Sequence, residues 1–87
     1  MVTKLTLQSW VQEALQALGG SGTVVEVTRE VWQRHESDLR QSGDLFFTWQ
    51  YDIRWAAQEL RNQGLLVKKE GKRSGTWDLA PSLNRDV

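Results

Sequence analysis

Arg54, Gln58 and Arg61 follow one another at spacings of four and three, and Lys68, Lys69, Lys72 and Arg73 crowd into the residues just beyond them. Arg and Gln carry the paired donors and acceptors that match guanine and adenine edges, and clustered cations neutralise phosphates and release counterions. From Arg54 to Arg73 six cations stand against Glu59 and Glu70, a local charge of +4 in a chain of net charge zero. That chemistry is recognition of nucleic acid. The same residues also suit an ordinary solvated helix face and a hairpin whose lysines discourage edge-to-edge pairing.

Catalytic chemistry has little to draw on. His35 is the only histidine and cysteine is absent, so neither a thiolate metal site nor a histidine-based nucleophilic triad can be assembled. His35 falls near the expected end of a helix, where a cationic side chain suits the dipole. Glu70-Gly71-Lys72 matches the E-x-K part of a metal-dependent nuclease signature, but it spans a turn and has no acidic partner on a preceding strand. The expectation is a protein that is not an enzyme, with no cofactor, no metal and no small-molecule substrate.

The elements that must carry the cationic residues are few. Eighty-seven residues make one domain, and a chain of this size buries only about 60–65% of the surface its unfolded form exposes. Five Trp, two Phe and one Tyr supply much of the core. Residues 1–52 sum to −3 and residues 53–87 to +3, so the basic half is the C-terminal one. No basic leader followed by an apolar run and no eighteen-residue apolar stretch is present in the sequence. With no cysteine, these features suit a cytoplasmic protein.

Leu7, Trp10, Val11, Ala14, Leu15 and Leu18 recur at the spacing of one helix face, which predicts a first helix from Thr6 to Leu18 with Thr6 as N-cap and Gly19-Gly20 as its stop. Thr23-Val24-Val25-Glu26 is a T-x-x-E capping box opening a second helix to about His35. Val24, Val27, Val31 and Trp32 carry its inward stripe. The β-branched run Thr23 to Val25 equally allows a short strand first. Glu36 to Asp44, polar apart from Leu39, reads as a frayed extension and a loop. A third helix, 48–63, starts at Thr48, buries Trp49, Ile53, Ala56, Ala57 and Leu60, and stops at Gly64. At about 100° per residue, Tyr51, Trp55, Gln58 and Asn62 lie opposite Ile53, with Arg54 and Arg61 along one edge. Leu65 to Glu70 and Thr76 to Leu79 read as two strands of a hairpin around Gly71 to Gly75, with Trp77 and Leu79 on one side.

Four of the five tryptophans (Trp10, Trp32, Trp49 and Trp77) fit core positions. Trp55 falls off the buried stripe, so it either packs under the hairpin or the loop after the second helix, or faces a partner; Tyr51 shares that choice.

Three helices followed by a hairpin is the order of a winged helix-turn-helix, in the α+β class and mainly α, spanning residues 1–81 with a short tail at 82–87. In that arrangement the third helix enters the major groove of double-stranded DNA and the hairpin, the wing at 65–79, grips the backbone. Gln50, Tyr51, Arg54, Gln58 and Arg61 are then nearest the bases, and Lys68, Lys69, Lys72 and Arg73 reach phosphates.

The phrases LQALGG (15–20), YDIRWAAQELRNQGLL (51–66) and GTWDLAP (75–81) resemble the N-terminal winged-helix domain of Mrr-type restriction endonucleases, a prokaryotic family that cuts modified DNA. The similarity runs over roughly residues 7–80. Its most specific part is the combination of I-R-W-A, then L, then G-L-L, then G-x-W-x-L. The resemblance implies a DNA-binding targeting module whose cutting is done by a separate C-terminal domain of PD-(D/E)xK type, which these residues do not contain. Arg54 and Trp55 match the family's R-W step and Trp77 its G-x-W strand, implying structural roles for both Trp. A module of a longer restriction enzyme and a free-standing small regulator both remain open.

Double-stranded DNA is the first expected partner, and a C-terminal nuclease domain or a second copy of the chain are the others; no membrane partner is expected. A different class of function also fits. Winged helices serve as protein-interaction and dimerisation platforms, and zero net charge, Asp52 and Glu59 beside the reading face, and an open Tyr51/Trp55 pair would suit that use.

Overall fold

The apolar stripes of three helices and two short β segments converge on one core. In the computed structural model, which describes residues 2–67 and 76–80, the order is α1 (Thr6–Ala17), β1 (Ser21–Thr23), α2 (Val24–Arg40), α3 (Leu45–Asn62) and β2 (Thr76–Asp78). The chain is mainly helical with a small two-stranded antiparallel sheet. None of the described helices is long and apolar enough to cross a membrane.

α1 buries Leu7, Trp10, Val11, Ala14 and Leu15. Its N-cap is Leu5, one residue before the expected Thr6, and has no side-chain cap. The Thr6 hydroxyl instead accepts from the Thr3 N–H at 3.1 Å, so it serves the turn leading into the helix. At the other end Gly19 and Gly20 take φ values of +88° and +102°. Those angles let the Gly20 N–H reach the Leu15 carbonyl at 2.7 Å and turn the chain into β1.

The capping box at Thr23 forms in full. The Glu26 N–H donates to the Thr23 hydroxyl at 3.0 Å, and the Thr23 N–H donates to the Glu26 carboxylate at 2.9 Å. Strand and helix both occur here: Thr23 closes β1 and caps α2, and Val24 and Val25 are already helical. The second helix does not fray at His35. It kinks there, with His35 at φ −130° and ψ 23°, and continues to Arg40. The continuation is held by Leu39, whose side chain is fully buried in the core. One apolar side chain in a polar stretch was enough to dock another turn of helix.

α3 starts at Leu45, three residues before the expected Thr48. Thr48 lies inside the helix and donates its hydroxyl to Asp52 at 2.8 Å, one turn on. The buried set Trp49, Ile53, Ala56, Ala57 and Leu60 is the one its spacing predicts. After Gly64, the Leu65 N–H closes on the Leu60 carbonyl at 2.9 Å.

The sheet is arranged around β2. Its ladder partner is β1, in the register Ser21 with Asp78, Gly22 with Trp77 and Thr23 with Thr76. On its other edge the Leu66–Leu79 bridge, the Val67 N–H to the Asp78 carbonyl at 2.9 Å and the Ala80 N–H to the Leu65 carbonyl at 2.9 Å tie in residues 65–67. Of the expected pairing of 65–70 with 76–79, the described residues show one isolated bridge with its flanking hydrogen bonds, and the ladder partner of β2 is β1, which sequence spacing does not reveal. Residues 68–75, where a turn is expected at Gly71 to Gly75, and residues 81–87 lie outside the described residues. Leu66 and Trp77 complete the buried core.

Candidate nucleic-acid interface

A single stripe of α3 carries Gln50, Arg54, Gln58 and Arg61, since steps of four, four and three residues return to nearly the same angle. The structure divides that stripe in two. Its N-terminal part faces α2 across an open groove of about 750 Å³, lined from α3 by Phe46, Trp49, Gln50, Tyr51 and Arg54 and from α2 by Val24, Val25, Thr28, Arg29 and Trp32. Its C-terminal part is bonded to itself: Arg61 Nη1 donates to Gln58 Oε1 at 3.0 Å, and Gln58 Nε2 donates to Asn62 Oδ1 at 3.1 Å. Arg61 is half-buried and its Nε is enclosed. Gln58 is exposed but bonded on both sides and Arg61 is half-buried, whereas Gln50, Tyr51 and Arg54 are exposed.

The groove has an aromatic floor. Trp32 of α2 stacks on Trp49 of α3 with centroids 5.8 Å apart and planes at 10°, and Phe46 lies tilted beside Trp32 at 6.4 Å. The Arg40 guanidinium covers the Trp32 ring at 5.2 Å and Phe46 at 5.9 Å. Above the floor stand Tyr51, 79% exposed, and Val25, 63% exposed.

The six described cations have different fates. Arg34 pairs with Glu30 at 2.9 Å and Arg40 with Glu36 at 2.8 Å, both along α2. Lys4 lies over the Trp55 ring at 4.8 Å, and Arg61 is bonded to Gln58. Arg29 and Arg54 have no ion-pair partner among the described residues, and both line the groove. Among the described residues, no carboxylate lines it with them. Two helices therefore bring an unneutralised +2 to one surface, in a protein whose other described cations are mostly engaged.

The choice left open for Trp55 resolves towards packing. It is half-buried against the core under Lys4, while Tyr51, one turn earlier, stands in solvent. Among the other tryptophans, Trp10, Trp49 and Trp77 are buried, and Trp32 is partly buried against the core. His35 lies where two helical segments of α2 meet, close to the helix end expected for it. It sits at the α2 kink, stacked on Trp10 at 3.8 Å and 5°, with Nε2 2.7 Å from Glu13 Oε1 and Nδ1 3.8 Å from Asp38 Oδ2. It is therefore a bridge between α1 and α2 and is not among the groove-lining residues. The described residues hold no group of three or more potential metal ligands.

Of the expected site residues, Gln50, Tyr51 and Arg54 come together, and Gln58 with Arg61 form a neighbouring pair. Lys68, Lys69, Lys72, Arg73 and the Glu70-Gly71-Lys72 motif lie outside the described residues. Sequence reasoning did not find Val25, Arg29 or Phe46. The available signal was Val25, an apolar residue out of phase with the inward stripe of Val24, Val27 and Val31. Phe46 was hidden by the late placement of the helix start. Comparison with family models, with curated proteins and with solved structures finds no match for the chain.

Proposed function

We propose that this chain is a DNA-binding winged-helix module, with α3 in the major groove and the segment 65–79 as the wing on phosphates. The observation that carries the reading is the pair Arg29 and Arg54, two cations without ion-pair partners among the described residues, opening from two helices onto one groove beside Gln50 and Tyr51. An arginine held free of carboxylates keeps its donors for a ligand, and Arg with Gln on one helix stripe is the set that reads purine edges. The order of elements agrees with the reading, with β2 lying between β1 and residues 65–67 after the third helix. The local +4 from Arg54 to Arg73 agrees too. The resemblance to the N-terminal domain of Mrr-type restriction endonucleases points to a targeting role in a prokaryotic restriction system, in the cytoplasm. A small regulator uses the same contacts. Catalysis is left to another domain, and no cofactor is needed for binding.

Anisotropy titrations of labelled duplex at several salt concentrations test this. Affinity should fall steeply with salt, by about 0.9 in log K per log salt for each phosphate neutralised. Arg54→Ala should weaken binding without unfolding the protein.

A second reading is favoured by one observation. Phe47 and Tyr51, one turn apart on α3, are 82% and 79% exposed, and exposed aromatic residues of this kind anchor protein interfaces. On that reading the chain is a docking or dimerisation module. Duplex titration at low salt separates the two, since a docking module leaves the anisotropy flat.

A further inference from the structure

We infer that the groove between α2 and α3 reads a thymine, taking its C5 methyl against Val25 and Tyr51 while Gln50 and Arg54 hold the edges of a neighbouring purine. The inference rests on the DNA-binding reading and names what that same surface selects.

Phosphate recognition requires donors alone. It gives no reason for an open apolar surface beside the guanidiniums, yet Val25 is 63% exposed on α2 and Tyr51 is 79% exposed on α3, both lining the groove with Arg29 and Arg54. In the major groove of unmodified DNA only thymine presents a methyl group, and apolar side chains distinguish it from cytosine by covering that methyl. The polar groups beside Val25 and Tyr51 complete a base-reading set. Gln50 and Arg54 are one turn apart on the same stripe of α3, with the amide suited to adenine and the guanidinium to guanine. The charge of the lining fits the same ligand, with two arginines and no carboxylate among the described residues. A protein anchor would also cover the apolar surface, but two unneutralised arginines there favour a polyanion. The Trp32–Trp49 stack joins α2 to α3 within the groove that Val25 and Tyr51 also line.

The test uses the full chain and a randomised duplex pool. The enriched duplex is resynthesised with deoxyuridine replacing one thymine at a time. Uracil pairs with adenine as thymine does and lacks only the methyl. The expected result is one thymine whose replacement weakens binding by about three- to tenfold, the scale of one methyl group removed from water. Val25→Ser or Tyr51→Ser should abolish that difference while the salt dependence persists, and circular dichroism confirms that each variant is folded. An enriched duplex in which every uracil replacement is silent would overturn the inference. So would discrimination that survives in both variants. Salt-dependent binding with no enriched sequence would show phosphate contact alone, overturning the inference while the DNA-binding reading stands. No binding at low salt would remove both and leave the groove as a protein-docking surface.

Discussion

The His35 imidazole lies flat against the Trp10 indole, with centroids 3.8 Å apart and planes at 5°, and its Nε2 is 2.7 Å from Glu13 Oε1. His35 is the residue with non-helical angles inside α2, so the stack joins α1 to α2 where α2 bends. An aromatic pair contributes about 0.5–1.5 kcal/mol beyond burial, and a hydrogen bond about as much. His35→Ala should therefore lower unfolding free energy by about 1–2 kcal/mol in urea denaturation. Duplex affinity should stay within twofold, on the order of 0.4 kcal/mol, because the stack is not part of the groove.

Leu39→Ala should cost more. The side chain is fully buried and holds the piece of α2 beyond the kink onto the core. Truncating such a leucine costs about 2–5 kcal/mol. A loss below about 0.5 kcal/mol, the usual range for surface changes, would mean that residues beyond His35 are not docked as described.

Thr23→Ala removes one half of a reciprocal cap at the start of the helix that carries Val25 and Arg29. The expected loss is about 1 kcal/mol, with Glu26→Ala costing less and the double variant less than the sum. Thermal denaturation followed by circular dichroism measures all three.

Lys72 and Arg73 belong to the wing in the proposed DNA complex. Changing both to Ala should reduce the slope of log K against log salt by about 1.8 and weaken all duplexes alike, because phosphate contacts carry no sequence information. A change in sequence preference, with the slope retained, would assign these cations to base contacts instead.

Much of this fold is legible in the sequence because helical stripes announce themselves. The apolar spacing of α1 and α3 identifies their buried faces, except that α1 ends at Ala17 and Leu18 is its partly buried C-cap, and the T-x-x-E box locates the start of α2. Three features were not legible, each for a physical reason. The continuation of α2 depends on where Leu39 lands in three dimensions, and a lone leucine among polar residues has no period to recognise. The start of α3 was misplaced because Thr48 has the chemistry of a cap; in the structure its hydroxyl bonds Asp52, and the helix begins three residues earlier without a side-chain cap. The pairing of β1 with β2 joins residues over fifty positions apart, beyond any local pattern. The candidate site divides in the same way. Gln50, Tyr51 and Arg54 follow from the periodicity of one helix. Arg29 and Val25 join them only through the packing of α2 against α3, which the Trp32–Trp49 stack sets.

The most direct measurement compares the protein with its Arg29→Ala and Arg54→Ala variants in anisotropy titrations against labelled duplex at two salt concentrations. DNA binding through the groove requires that the parent bind at low salt and weaken steeply as salt rises, that each variant lose about five- to tenfold in affinity, and that both remain folded, consistent with the loss of one charge-assisted contact. Absence of binding by the parent at low salt, or equal affinity in all three proteins, would contradict a nucleic-acid role for this groove.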